Sequence, residues 1–417
     1  MKPSGKPEKR LRVRCTPVFQ QVSFFADDDP LAQMLVEFEA ESDQREAQPK
    51  IPADIFLVLD VSGSMNAPDR YPLLRRAVQE FLQKIEPEDR VGMVVFSTSS
   101  DLISPLLLGA DAYQNSTWLL DRMDKSPKMF GGGTYLGPGL QEALTQLQKS
   151  PPNRVRRVYV LTDGEIHDAE VCQSTLAPFR EHKLEVQVYG FGTAFNAEKL
   201  KLLVSDQLGG SVKPICNEVD IINTFAHIAE MNRRIIADDA VFTLSLDHEI
   251  DCGDAWAFRP QERYLGRVAN RIVRREIGAL EAKRVYSFLV ELRLPPVESL
   301  SPNDPRTKIG TVTISWNGGE ESVVLYANRH VSAQPIEDMT RVKEAFAILD
   351  LMRRKGDKAA ELVAMKARLE LATREGRDVG LIEALEKQLD VLEGRASARA
   401  ISQADRQYLA SDFSTRA

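Results

Sequence analysis

The residues best suited to chemistry lie in one short run, Asp60-Val61-Ser62-Gly63-Ser64-Met65. One carboxylate and two hydroxyls fall at alternate positions, and a turn after a strand can point alternate side chains at one spot. All three are hard oxygen donors, which suit Mg²⁺, Mn²⁺ or Ca²⁺ and not zinc. Gly63 between the serines permits a tight turn. Two further pieces lie downstream. Gly131-Gly132-Gly133-Thr134 offers a threonine hydroxyl on a flexible loop before a helix, and Leu161-Thr162-Asp163-Gly164 sets a carboxylate at the end of an apolar run. The plain alternative is a polar strand–turn–helix without metal, in which Asp60 or Ser62 caps the next helix. Glu165, His167 and Asp168 follow closely and read as a solvated loop leading into a helix cap.

These groups need elements to bring them together. From Ile51 onward, apolar runs at Ile55–Leu59, Val91–Phe96, Val155–Leu161 and Val186–Phe191 alternate with helical stretches near Leu73–Ile85, Leu136–Leu147, Glu170–Glu181 and Ala197–Ser205. Continuous Val, Ile and Leu runs suit strands buried on both faces. Alternating strand and helix predicts right-handed crossovers and a doubly wound, mostly parallel α/β sheet. A last helix near Val219–Ile236 is expected to close this unit. In such a sheet the strand C-ends converge at the topological switch point, so three loops distant in sequence can meet there.

The flanking sequence reads differently. Met34, Val36, Phe38 and Ala40 alternate at period two, as do Phe242, Leu244 and Leu246; Arg12–Thr16 and Arg284–Leu294 are also strand-like. Thr311–Trp316 and Ser322–Ala327 flank Asn317-Gly318-Gly319, a hairpin signal. The expectation is an antiparallel sandwich-type unit over 238–333, joined by the strands of segment 1–50, around a doubly wound unit at 51–236. Three apolar stripes then predict a helical tail over 335–396: Val342 to Met352, Leu362 to Ala372 and Leu381 to Leu392, broken at Gly356 and Gly376. Residues 397–417 read as disordered.

Composition excludes several classes. The formal net charge of −7 over 417 residues argues against a protein that neutralises phosphates. Arg154, Arg156 and Arg157 are the only tight basic cluster near a strand and read as a solvated loop. Cys15, Cys172, Cys216 and Cys252 are far apart, form no CxxC and suit a reducing compartment. No apolar region follows the basic start, and no run of about 18 apolar residues is present. The expected location is the cytoplasm.

DxSxS, a glycine-rich loop with Thr and a strand ending in TDG, in that order, resemble the metal-ion-dependent adhesion site of von Willebrand factor A domains. The matching residues are Asp60, Ser62, Ser64, Thr134 and Asp163, and the resemblance covers 51 to about 236. By arrangement, the flanking strands, β unit and helical tail resemble a group of prokaryotic proteins with the whole layout. The resemblance implies that Ser62, Ser64 and Thr134 reach Mg²⁺ (or Mn²⁺ or Ca²⁺) directly and that Asp60 and Asp163 often act through water. One coordination position is then left for a Glu or Asp of a partner protein. It implies a non-catalytic adaptor, and it permits partners such as AAA+ ATPases of the MoxR type or defence and stress complexes.

Two other classes compete. In one, the chain is a scaffold that binds partners through the β unit and helical tail. In the other, it is a Mg²⁺-dependent phosphohydrolase. A haloacid-dehalogenase-like enzyme needs a second Asp two residues after the first, and here that position is Ser62. No GxxxxGK[ST] phosphate loop and no GxSxG elbow is present.

Overall fold

The computed structural model describes residues 12–21, 31–41, 51–215, 231–328 and 358–409. Excepted within these are 69, 152, 164–165, 192–195, 205, 233, 260–262, 294–305, 376–378, 398–399, 403–404 and 407–408; residues 220, 224, 228 and 347 are also described.

The chain opens with two strands, β1 (Arg12–Gln21) and β2 (Leu31–Glu41). It then enters the α/β unit that holds the candidate site. Its elements are β3 (Ala53–Asp60), α1 (Arg70–Lys84), β4 (Arg90–Phe96), β5 (Ser100–Leu108), α2 (Gly109–Gln114) and α3 (Ser116–Asp124). There follow α4 (Gly137–Leu147), β6 (Val155–Thr162), α5 (Ala169–Glu181), β7 (Leu184–Phe191), α6 (Ala197–Val204) and β8 (Leu208–Ile215). The strand order is β5-β4-β3-β6-β7-β8. The β4–β5 pair is antiparallel and the other pairs are parallel.

Period-two alternation explains how the central strands serve two cores. Ile55, Leu57 and Leu59 of β3 join Leu74, Ala77, Val78 and Phe81 of α1 on one face. Phe56 and Val58 join Leu140, Ala143 and Leu147 of α4, and Leu176 and Phe179 of α5, on the other. Every residue of β3 and of β7 is buried. Helix α4 approaches the sheet closely at Gly139, where a Cβ would lie 2.8 Å from Val58 Cγ1.

Beyond this unit come β9 (Ile235–Leu246), β10 (Asp251–Arg259), β11 (Arg263–Arg267), β12 (Ile272–Glu281), β13 (Val285–Arg293), β14 (Arg306–Trp316) and β15 (Gly319–Asn328). They form two antiparallel sheets, β1-β2-β13-β10-β11 and β12-β9-β14-β15. The sheets share one core, in which Phe242 stacks on Phe288 at 3.8 Å and on Phe38 at 6.0 Å. The N-terminal strands enter through β2, which pairs with β13. Strands β14 and β15 close over Asn317-Gly318, with Trp316 opposite Gly319. Helices α7 (Lys358–Glu375) and α8 (Val379–Leu392) pack Met365 and Ala372 against Leu381, Leu385 and Leu389.

The structure departs from the sequence reading in specific places. Strand β8 and the segment from β5 to α3 were not anticipated. Strand β8 (LGGSVKPI) carries two glycines and a proline, which mask its β pattern at the sheet edge. Of the expected helix near Val219–Ile236, Asp220, Thr224, Ile228, Met231 and Asn232 are helical, but Ile235 already opens β9. The stripe from Val342 to Met352 lies outside the described residues except for Ala347, and so do Gly356 and Gly376. The disorder expected past Ala396 does not extend to Asp405. That residue is buried, pairs with Lys387 at 2.8 Å and accepts a hydrogen bond from the Ser402 hydroxyl.

The arginine cluster is not a solvated loop. Arg154 and Arg90 both pair with the buried Asp54. Arg157 is fully buried where the α/β unit meets the sandwich. It donates to Glu185 at 2.8 Å, to Asn232 at 2.6 Å and to Glu281 at 3.2 Å. Glu185 also accepts from the Ala279 N–H at 2.7 Å. Burial opposes the charge of Arg157, but the Glu185 and Glu281 carboxylates outweigh it and hold the guanidinium charged.

Candidate metal centre

The candidate site lies at the C-terminal ends of β3 and β6, which are neighbours in the sheet. The chain goes from β3 to β4 on one side and later to β6 on the other, so this is the switch point where ligands bind in open α/β sheets. Their pairing sets Leu59 beside Leu161, and so places Asp60 next to Thr162. The Thr162 hydroxyl donates to Asp60 Oδ2 at 2.6 Å, and the Ser62 N–H donates to Asp60 Oδ1 at 2.9 Å. Both carboxylate oxygens are held. Burial, opposed by the Thr162 bond and reinforced by the nearby Asp163 charge, raises the Asp60 carboxyl to about 6.

After Asp60 the chain enters a short 3-10 turn, Gly63–Asn66. Ser62 occupies its cap position but makes no side-chain capping bond, so the simple capping role is not the one it plays. Its hydroxyl instead lies 3.0 Å from that of Ser64. Gly63 does not adopt a left-handed conformation; it is needed for close approach. Its N–H donates to Gly131 O at 2.6 Å, and a Cβ there would lie 3.3 Å from the same oxygen.

That contact zips the glycine-rich loop alongside the turn. Ser62 and Gly131 form a parallel bridge, and the Phe130 N–H donates to Val61 O at 2.7 Å. A Cβ on Gly131 would meet Ser97 Oγ at 2.3 Å, so the loop lies tight against the end of β4. Thr134, 2% exposed, is braced by the third loop. Its N–H donates to His167 Nδ1 at 3.1 Å, and its carbonyl accepts from the His167 N–H at 2.9 Å. The Asp168 carboxylate accepts from the Leu136 and Gly137 N–H groups at 2.9 and 2.8 Å, capping α4 from across the site. His167 and Asp168 therefore tie loops together, beyond the solvated role expected of them; Glu165 lies outside the described residues.

Asp163 is only half satisfied. Its side chain is 1% exposed, and Oδ2 accepts from Arg70 Nη1 at 2.5 Å. Oδ1 is buried and, among the described residues, has no hydrogen-bond partner. An orphaned buried carboxylate oxygen is costly unless something completes its shell. The donors around it are hydroxyls and carboxylates. Among the described residues no group of three or more His, Cys, Asp or Glu side chains is placed to hold a metal. An oxygen-rich set with one unmet anionic oxygen fits a hard divalent cation.

The sequence reading named Asp60, Ser62, Ser64, Thr134 and Asp163. The structure joins the first three directly, ties Thr134 to them through Gly131, and sets Asp163 beside Asp60 closely enough to raise its pKa. It adds Thr162 and Arg70. The register of two adjacent strands would have found Thr162; nothing in the sequence marks Arg70.

Residues 55–165 match the family model described as von Willebrand factor type A domain. The chain shares its fold across 99% of both chains with a von Willebrand factor type A protein from Catenulispora acidiphila, at a TM-score of 0.69 and 16% identity. It is 25% identical over 201 residues to an uncharacterized Synechocystis sp. protein, covering 47% of this chain and 46% of that one. It is 21% identical over 322 residues to the uncharacterized Escherichia coli protein YfbK, covering 70% of this chain and 53% of the relative. The chain thus spans about half the length of these relatives. Among the described residues no helix is long and apolar enough to cross a membrane.

Proposed function

We propose that this chain is a metal-dependent protein-binding adaptor. Asp60, Ser62, Ser64, Thr134 and Asp163 hold Mg²⁺, or Mn²⁺ or Ca²⁺ in its place, and an Asp or Glu of the partner completes the shell. The observation that carries this reading is the buried, unpartnered Oδ1 of Asp163 beside the paired Ser62 and Ser64 hydroxyls. A bound divalent ion supplies an electrophilic point that an incoming carboxylate can ligate. The protein's part is to fix the donors in advance. Thr162 and the Ser62 N–H orient Asp60, Gly131 holds the turn, and His167 holds Thr134. Few charged donors leave the ion short of negative charge, which favours an added carboxylate.

The partner class implied by resemblance, an AAA+ ATPase of the MoxR type or a defence or stress complex, belongs to this proposal, as does a cytoplasmic location. The test is partner capture from native extract with Mg²⁺ and with EDTA, using wild type and Asp60→Ala. A partner held only by wild type with Mg²⁺ supports metal-dependent binding. A partner held equally under all conditions would move binding to the sandwich or helical tail.

A further inference from the structure

Arg70 has no role in the metal-dependent reading, yet it sits on one of the proposed ligands. It is the first residue of α1. A cation is disfavoured there, because the helix dipole is positive at its N-terminus. Among the described residues no acidic side chain stands in the first turn. The guanidinium reaches instead across to Asp163 Oδ2 at 2.5 Å and toward the Ser64 carbonyl at 3.4 Å. The side chain of Arg70 is 25% exposed and that of Asp163 is 1% exposed. The buried carboxylate is therefore neutralised from the solvent side by a group that can swing away.

We propose that Arg70 is a built-in competitor for the metal: a guanidinium paired with Asp163 Oδ2 that weakens the hold of this carboxylate on a divalent cation at its open Oδ1. Two buried carboxylates, Asp60 and Asp163, lie side by side. The Arg70 guanidinium offsets the repulsion between them. The same ion pair lowers the net affinity for metal, because the guanidinium offsets negative charge that the cation would otherwise meet. The site then loads at a higher concentration of free cation than it would without Arg70.

The inference rests on the metal-binding reading above, and the experiment separates the two. Mn²⁺ alone is titrated by calorimetry into wild type, Arg70→Met, Arg70→Lys and Ser62→Ala, with circular dichroism to confirm folding. Arg70→Met should bind Mn²⁺ roughly tenfold more tightly than wild type, the worth of a partly buried ion pair. Arg70→Lys should stay near wild type, and Ser62→Ala should bind weakly or not at all. Mn²⁺ should also raise the melting temperature of Arg70→Met by more than that of wild type. Arg70→Gln, of similar reach, gives the same comparison if the methionine variant does not fold. Equal or weaker Mn²⁺ binding by Arg70→Met and Arg70→Gln, with binding lost in Ser62→Ala, would overturn the competitor role and leave the metal site standing. Absence of Mn²⁺ binding in every variant would remove both.

Discussion

Strand β6 carries a buried charge at each end, and the two ends are built to opposite ends of satisfaction. At the N-terminal end, Arg157 uses Nε, Nη1 and Nη2, each on a different acceptor from a different element. At the C-terminal end, just past the strand, Asp163 has one oxygen paired with Arg70 and the other, among the described residues, with no partner. Both groups are about 1% exposed. Burial alone therefore does not separate a structural charge from a ligand-taking one. The accounting of hydrogen bonds does: a closed cluster braces two units, and an open one is ready for a further atom.

The sharpest way to break this comparison is to open the closed end. Arg157→Met leaves Glu185 buried without its cation, while Glu281 keeps Arg284 at 2.6 Å, and should cost about 3 kcal/mol in urea unfolding. A cost under about 1 kcal/mol would mean that the junction is not braced by this cluster. The next largest effect comes from closing the open end. Mg²⁺ at a hundredfold excess over its dissociation constant should stabilise wild type by about 2.7 kcal/mol, and Ser62→Ala by little. Equal stabilisation of both proteins would place the ion elsewhere. Asp163→Asn sharpens the contrast further. It should abolish Mn²⁺ binding while changing stability by about 1 kcal/mol or less, since the ion pair it removes is partly solvated. A large loss of stability would make Asp163 a structural charge like Arg157.

The sequence exposed the open end better than the closed one, for physical reasons. Asp60, Ser62 and Ser64 stand at alternate positions after an apolar run, and such a pattern has few structural uses. Thr134 follows three glycines, of which Gly131 is needed for its tight fit against Ser97. The apolar runs that became β3, β4, β6 and β7 were legible because strands buried on both faces tolerate few polar residues. Arg70 and Arg157 were not legible, because an arginine within a helix or beside a strand is a solvated residue by default. Only the fold shows that Arg157 faces Glu185 and Glu281, which lie 28 and 124 residues away. Strands β10 and β11 stayed hidden because β10 (DCGDAWAFR) is rich in small and polar residues and β11 is only five residues long and half-exposed.

The smallest expected effect tests whether charge or burial makes the closed end strong. Arg180 pairs with Glu276 at 3.0 Å across the same junction, with the two side chains 44% and 41% exposed. Lys183 pairs nearby with Asp239, and its side chain is 56% exposed. These pairs join the same two units as Arg157 and carry the same signs of charge. They differ in being solvated, so breaking either leaves its partner in water. Arg180→Ala and Lys183→Ala should each cost about 0.5 kcal/mol, and at most about 1 kcal/mol, in urea unfolding. They should lose that little in high salt, where exposed pairs are screened. A cost near that of Arg157→Met would show that the junction's charges act as one extended network. The contrast between the two ends of β6 would then lie in the number of charges gathered, and no longer in whether each buried atom has found a partner.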